Sequence, residues 1–190
     1  MSVRRWPTGT SNVCCSRAGG ALTRRSITTS AVWEKTEVKW VTRQRPKTDR
    51  IACPWLIRRF IDPAADILYV PHDQVLATAD RYGAHSFDAP GAEYTHRAAK
   101  CSFEVLLEEF GLSRDPALVR LAAIVHAADV ADDLHTDPLG AGLLAIGEGG
   151  LAVESDDLRL LEKGSFIYDA LYAWCQQAVA PPSQSATGDV

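Results

Sequence analysis

The chain has 190 residues, 46% of them hydrophobic and 23% charged, and a formal net charge of −4, which is ordinary for one globular domain with tails. No run reaches the ~20 apolar residues that a membrane-crossing helix needs, which excludes an integral membrane protein of that kind. From Lys39 onward 14 basic side chains face 22 acidic ones, which argues against the clustered positive surface that direct nucleic-acid binding requires.

Residues 1–37 come first. They carry five arginines and no acid before Glu34, are rich in Ser, Thr and Gly, and show no hydrophobic periodicity. The composition imitates a mitochondrial presequence, and Arg24-Arg25 lacks the apolar stretch that follows a twin-arginine signal. The segment reads as a disordered basic extension. The folded domain is expected over 38–177, and the polar, proline-bearing end, 178–190, reads as a disordered tail.

Within the domain, "VKWVT", "DILYV" and the weaker "AHSFD" read as short strands. Pro54, favoured at the first helical position, predicts a helix starting there. A second helix is expected from Asp73 to Tyr82, stopped by Gly83. Ser102 reads as the N-cap of "FEVLLEEF", closed by Gly111. Asp115-Pro116 opens "ALVRLAAIVHAAD" with a cap and a proline in the favoured order. A fourth helical segment surrounds "PLGAGLLAIGEG", and a last long helix is expected from Ser155 to Gln177. The fold class is α+β: a small β-rich or β-α-β N-terminal half packed against a helical C-terminal half.

Three constellations hold candidate chemistry. In "RPKTDRIACPWLIRRFIDP", five basic side chains surround Cys53. At a helix start, the dipole and the neighbouring Lys47 and Arg50 would lower the thiol pKa, although free cysteines more often serve as buried filler. Arg58 and Arg59 face away from the apolar side of the predicted helix, where pairing with Asp62 is the plain alternative. In "SFDAPGAEYTHRAAKCSF", Asp88 ends a strand, and Glu93, His96 and Cys101 follow a Pro-Gly turn. Imidazole, carboxylate and thiolate all bind metals, but the spacing fits no fixed zinc pattern.

The third constellation is "HAAD". The apolar stripe Leu118, Leu121, Ala122, Val125 lands next on Asp129, with His126 on a neighbouring part of the same face. A buried carboxylate needs a cation, a metal or a donor. Asp169 in "FIYDALYAW" poses the same problem, and an arginine of the first stretch is its expected partner. Tyr172 and Trp174 read as core. The chain has five cysteines and no CxxC pair, which points to a reducing compartment, the cytoplasm. No GxGxxG, Walker A, GxSxG or HExxH motif is present.

The segments "KWVTRQRPKTDRIACPWLIRRFIDPAADILYVP", "FDAPGAEYTHRAAKCSFEVLLEEFGL", "LAAIVHAADV" and "IYDALYAWC", in this order, resemble the C-terminal domain of ChrB-type chromate-resistance proteins over roughly Val38 to Gln177. The resemblance implies a bacterial role in chromate resistance and stress response. Full-length members of that family are chromate-responsive regulators with an additional N-terminal DNA-binding domain, and similar domains occur fused to rhodanese-like sulfurtransferase modules. The residues before Val38 leave no room for such a DNA-binding half, so regulation would need a separate DNA-binding or rhodanese-like subunit.

Chromate is a tetrahedral dianion, and guanidinium forks suit its oxygens. Arg45, Arg50, Arg58 and Arg59 are therefore the candidate oxyanion contacts. His96, His126 and Asp129 are the candidate ligands of a divalent metal ion. A second reading makes Cys53 or Cys101 catalytic, reducing chromate or handling sulfur; a third leaves a structural adaptor.

Overall fold

The structure, a computed structural model, describes residues 38–181; the readings of residues 1–37 and of the tail beyond Pro181 lie outside them. Three strands form a parallel sheet in the order β2–β1–β3: β1 (Lys39–Arg43), β2 (Asp66–Val70) and the two-residue β3 (His85–Ser86). Parallel neighbours require crossovers. α1 (Asp49–Leu56), prolonged by a π-helical turn at Ile57–Ile61, joins β1 to β2, and α2 (Val75–Tyr82) joins β2 to β3. The back half is helical: α3 (Ser102–Glu109), α4 (Pro116–Asp129), α5 (Gly140–Val153) and α6 (Asp157–Val179). This is the expected α+β plan.

Strand alternation distributes the core. Val41 points to one face of the sheet, against Val75 and Ala79 of α2. Trp40 points to the other, into the larger core built from α1, α3, α4 and α6. With α1 and α2 on opposite faces, the chain leaves β1 one way and returns to β3 the other way. Open parallel sheets place ligand sites outside the carboxyl ends of the strands at such a reversal. Arg43 ends β1, Asp49 opens α1, and Asp88 stands two residues past β3.

The boundary at Pro54 differs from expectation: α1 begins five residues earlier, and Pro54 lies inside it. An internal proline deprives the carbonyl four residues back of its helical N–H. Here that carbonyl belongs to Arg50, and the Tyr69 hydroxyl of β2 donates to it at 2.7 Å. A neighbouring strand thus satisfies the defect. The π-helical turn follows directly.

At α3 the cap is Cys101 rather than Ser102. Gly83 ends α2 with φ +59, as expected, and Asp115 caps α4 by accepting from the N–H groups of Ala117 and Leu118. α6 runs two residues beyond the expected end. Gly140 lets α5 sit close on α4, since a Cβ there would meet that of Ala127 at 2.7 Å.

Candidate functional site

Four acidic or imidazole side chains converge at the carboxyl end of the sheet. Asp49, Asp88, His96 and Asp129 each offer one ligand atom, and these atoms all lie within 4.8 Å of one another. They come from the start of α1, the residue pair after β3, a loop, and the end of α4. Each is held for a local reason.

The Asp49 side chain is fully buried because it closes the N-terminus of another helix: it accepts from Ser102 N–H at 2.7 Å and from Phe103 N–H at 3.3 Å. Those are donors that a helix start leaves unpaired. Asp88 has φ +46, an uncommon left-handed conformation that Asp tolerates. Its Oδ2 accepts from both Arg43 and Arg50 at 2.9 Å, and its Oδ1 accepts from Ser102 Oγ at 3.3 Å. The loop to His96 turns at Pro90-Gly91, where Ala92 N–H donates to Ala89 C=O and Gly91 takes φ +76; proline then glycine with positive φ suits the centre of a type II turn.

His96 Nε2 stands 3.2 Å from Asp129, 3.5 Å from Asp88 and 3.6 Å from Asp49. One nitrogen can present one proton, yet three carboxylate oxygens surround it beyond the usual length of a charge-assisted hydrogen bond. The electrostatics follow from this crowding. Contacts with Asp49 and Asp88 push the His96 pKa up to about 10. Burial and the charges of Asp49 and Asp88 push Asp129 up to about 7, and burial raises Asp49. For Asp88 burial acts the same way, but His96, Arg43 and Arg50 outweigh it and hold the pKa low. A cavity of about 210 Å³, lined by Arg43, Asp88, Ala89, Pro90, Thr95 and His96, opens onto the cluster.

Residues 40–175 match the family model described as the ChrB C-terminal domain. This chain belongs to that family. The ChrB protein of Cupriavidus metallidurans is 40% identical over 134 residues, which cover 70% of this chain and 40% of that protein. The chain therefore spans well under two thirds of that relative. No solved structure matches.

Within the ChrB C-terminal domain, the structure unites His96 with Asp129 and adds Asp49 and Asp88. His126 stands apart: its Nδ1 faces Glu104 at 2.7 Å and its Nε2 faces Asp133 at 2.9 Å. The four arginines expected as oxyanion contacts do not converge. Arg45 donates to Leu151 and Glu154 carbonyls at the end of α5, and Arg58 donates to Ala65 C=O. Arg59 pairs with Asp169 at 2.9 Å, which also accepts from Trp55 Nε1; the expected arginine partner of Asp169 is thus in place. Of the four, only Arg50 reaches the cluster, where it is joined by Arg43.

The expected electrostatics of Cys53 are reversed. It lies in the second turn of α1, fully buried, beside Asp49 at 3.5 Å; burial first, then nearby carboxylates, push its pKa well up. The Cys101 pKa is also raised, chiefly by burial. Neither thiol sits in the electropositive, accessible setting that makes a cysteine nucleophilic. Asp62 accepts from Ala64 N–H and pairs with neither Arg58 nor Arg59. Tyr172 is core, whereas Trp174 is 45% exposed with Arg120 over its ring. Among the described residues, no helix is long and apolar enough to cross a membrane.

Proposed function

We propose that this ChrB-family domain is an oxyanion-responsive metal module: Asp49, Asp88, His96 and Asp129 hold one divalent cation, and chromate or a similar tetrahedral dianion meets it through the adjoining cavity. The observation that carries the reading is the position of His96 Nε2 among three carboxylate oxygens at 3.2–3.6 Å. A divalent ion among those groups would satisfy all three oxygens, whereas a single proton cannot. Three carboxylates with one imidazole favour Mn²⁺, Fe²⁺ or Zn²⁺ over softer ions.

Arg43 and Thr95 line the cavity beside the cluster. Arg43 spends Nε and Nη2 on Asp88, so its guanidinium is positioned to pair with an anion that also touches the metal. The acidic balance of the chain from Lys39 onward supports effector binding by this domain rather than contact with nucleic acid.

Calorimetric titration tests this. Chelator-treated protein is expected to bind about one equivalent of Mn²⁺ or Zn²⁺ at this site, lost in an Asp49→Asn/Asp129→Asn double variant. Chromate is expected to bind the metal-loaded form, with affinity reduced about 10-fold or more by Arg43→Ala, the scale of one charge-assisted hydrogen bond. Equal chromate binding with and without metal, or metal binding unaffected by the double variant, would overturn the reading.

A further inference from the structure

We infer that the domain carries a second cation site of softer chemistry, formed by Cys101, Glu104 and His126 and oriented by Asp133. The Cys101 sulfur, a Glu104 carboxylate oxygen and a His126 ring nitrogen lie within 4.8 Å of one another. The ligands come from two helices: Cys101 caps α3, Glu104 lies in its first turn, and His126 belongs to the last turn of α4. A spacing of three puts Cys101 and Glu104 on one helical face, and Glu104 Oε2 is fixed there by accepting from Cys101 N–H at 2.9 Å.

The His126 imidazole is oriented by a carboxylate outside this ligand set. Histidines that bind metals commonly donate the remote N–H to a carboxylate, which fixes the tautomer and the ring plane. His126 has that arrangement. Nε2 faces Asp133 Oδ2 at 2.9 Å, and Nδ1 is turned toward Glu104 Oε2 at 2.7 Å. Asp133, in the 3-10 turn after α4, is thus the orienting carboxylate, and Nδ1 is the ligand atom. Cys101 is fully buried, whereas the side chains of Glu104 and His126 are partly exposed, and Glu104 also lines a cavity of about 360 Å³ with Lys100, Leu107 and Ala122.

Thiolate, imidazole and carboxylate together select Zn²⁺ or a similar borderline ion, in contrast to the carboxylate-rich cluster. On binding, the Cys101 thiol proton and the proton that His126 Nδ1 shares with Glu104 are released to solvent, and metal–sulfur and metal–nitrogen bonds take their place. α4 serves both sites, giving His126 to one and Asp129 to the other.

Co²⁺ is the probe, because cobalt bound to thiolate shows a sulfur-to-metal charge-transfer band in the near ultraviolet that oxygen and nitrogen ligands do not give. Titrating the full, chelator-treated chain is expected to produce this band. It should vanish in Cys101→Ser, weaken in Glu104→Gln, and need roughly 10–100-fold more Co²⁺ in Asp133→Asn. It should persist in Asp129→Asn, which separates this site from the carboxylate cluster and leaves the Asp49 contacts at the start of α3 in place. Absence of the band from the wild-type chain, or its survival in Cys101→Ser, would overturn the inference. If Cys101→Ser proves unfolded by circular dichroism, full band intensity in Glu104→Gln and unchanged affinity in Asp133→Asn would overturn it instead.

Discussion

His96 reaches the carboxylates from a loop, and protonation of its ring is what offsets their charge when no cation is bound. The pH dependence follows from the shifts. The Asp129 pKa rises from 3.8 to about 7 and that of His96 from 6.5 to about 10. In both windows the folded domain holds a proton that the unfolded chain has lost, so stability falls as pH rises. Chelator-treated protein is therefore expected to melt at progressively lower temperature between pH 6.5 and 10, with a shallower decline in His96→Asn. Nuclear magnetic resonance of the His96 ring should place its titration near 10; a midpoint near 6.5 would contradict the placement of this side chain.

Some of these residues were legible in the sequence. Asp129 interrupts an apolar stripe, and a buried charge has to be answered by a partner; Asp169, on a helix with two apolar stripes, meets the expected arginine although its side chain is half exposed. Asp49 gave no such signal, because beside arginines near a helix start it reads as a surface acid. Its burial comes from α3, which docks its N-terminus onto that carboxylate. The expected lowering of the Cys53 pKa fails for the same reason, since charge adjacent in sequence says nothing about desolvation.

At the level of elements, Pro54 and Tyr69 form the informative pair. Removing the Tyr69 hydroxyl leaves the Arg50 carbonyl without its donor, so Tyr69→Phe should destabilise by about 1–3 kcal/mol. In a Pro54→Ala background the helix can supply an N–H to that carbonyl, and the same substitution should cost less. Urea unfolding of the four proteins measures the coupling, and strict additivity would contradict it.

Local punctuation was otherwise readable: Gly83 closes α2 and Asp115-Pro116 opens α4, because caps and left-handed glycines act over a few residues. Pro54 was read as a start because the donor that replaces its missing N–H lies in another strand. The cap of α3 was placed one residue too late, at Ser102 instead of Cys101, for a similar reason. The N–H groups that a cap would serve there are taken by Asp49, 53 residues away in sequence.

Across the whole molecule, the site is a consequence of strand order. With β1 between β2 and β3, the chain segments after β1 and β3 meet, and α3 and α4 close the crevice from the helical half. Periodicity showed the two halves but could not order the strands, so it could not tell which arginines would meet. Arg45, Arg58 and Arg59 went to structural partners, while Arg43, just past the predicted strand "VKWVT" and given no role by the sequence, came to the cluster.

The decisive measurement is anomalous diffraction from crystals of the full chain grown with Mn²⁺ or Zn²⁺. The predicted result is a peak bounded by Asp49, Asp88, His96 and Asp129, with ligand distances of roughly 2.0–2.2 Å. Diffraction in which those four side chains enclose no anomalous scatterer would contradict it.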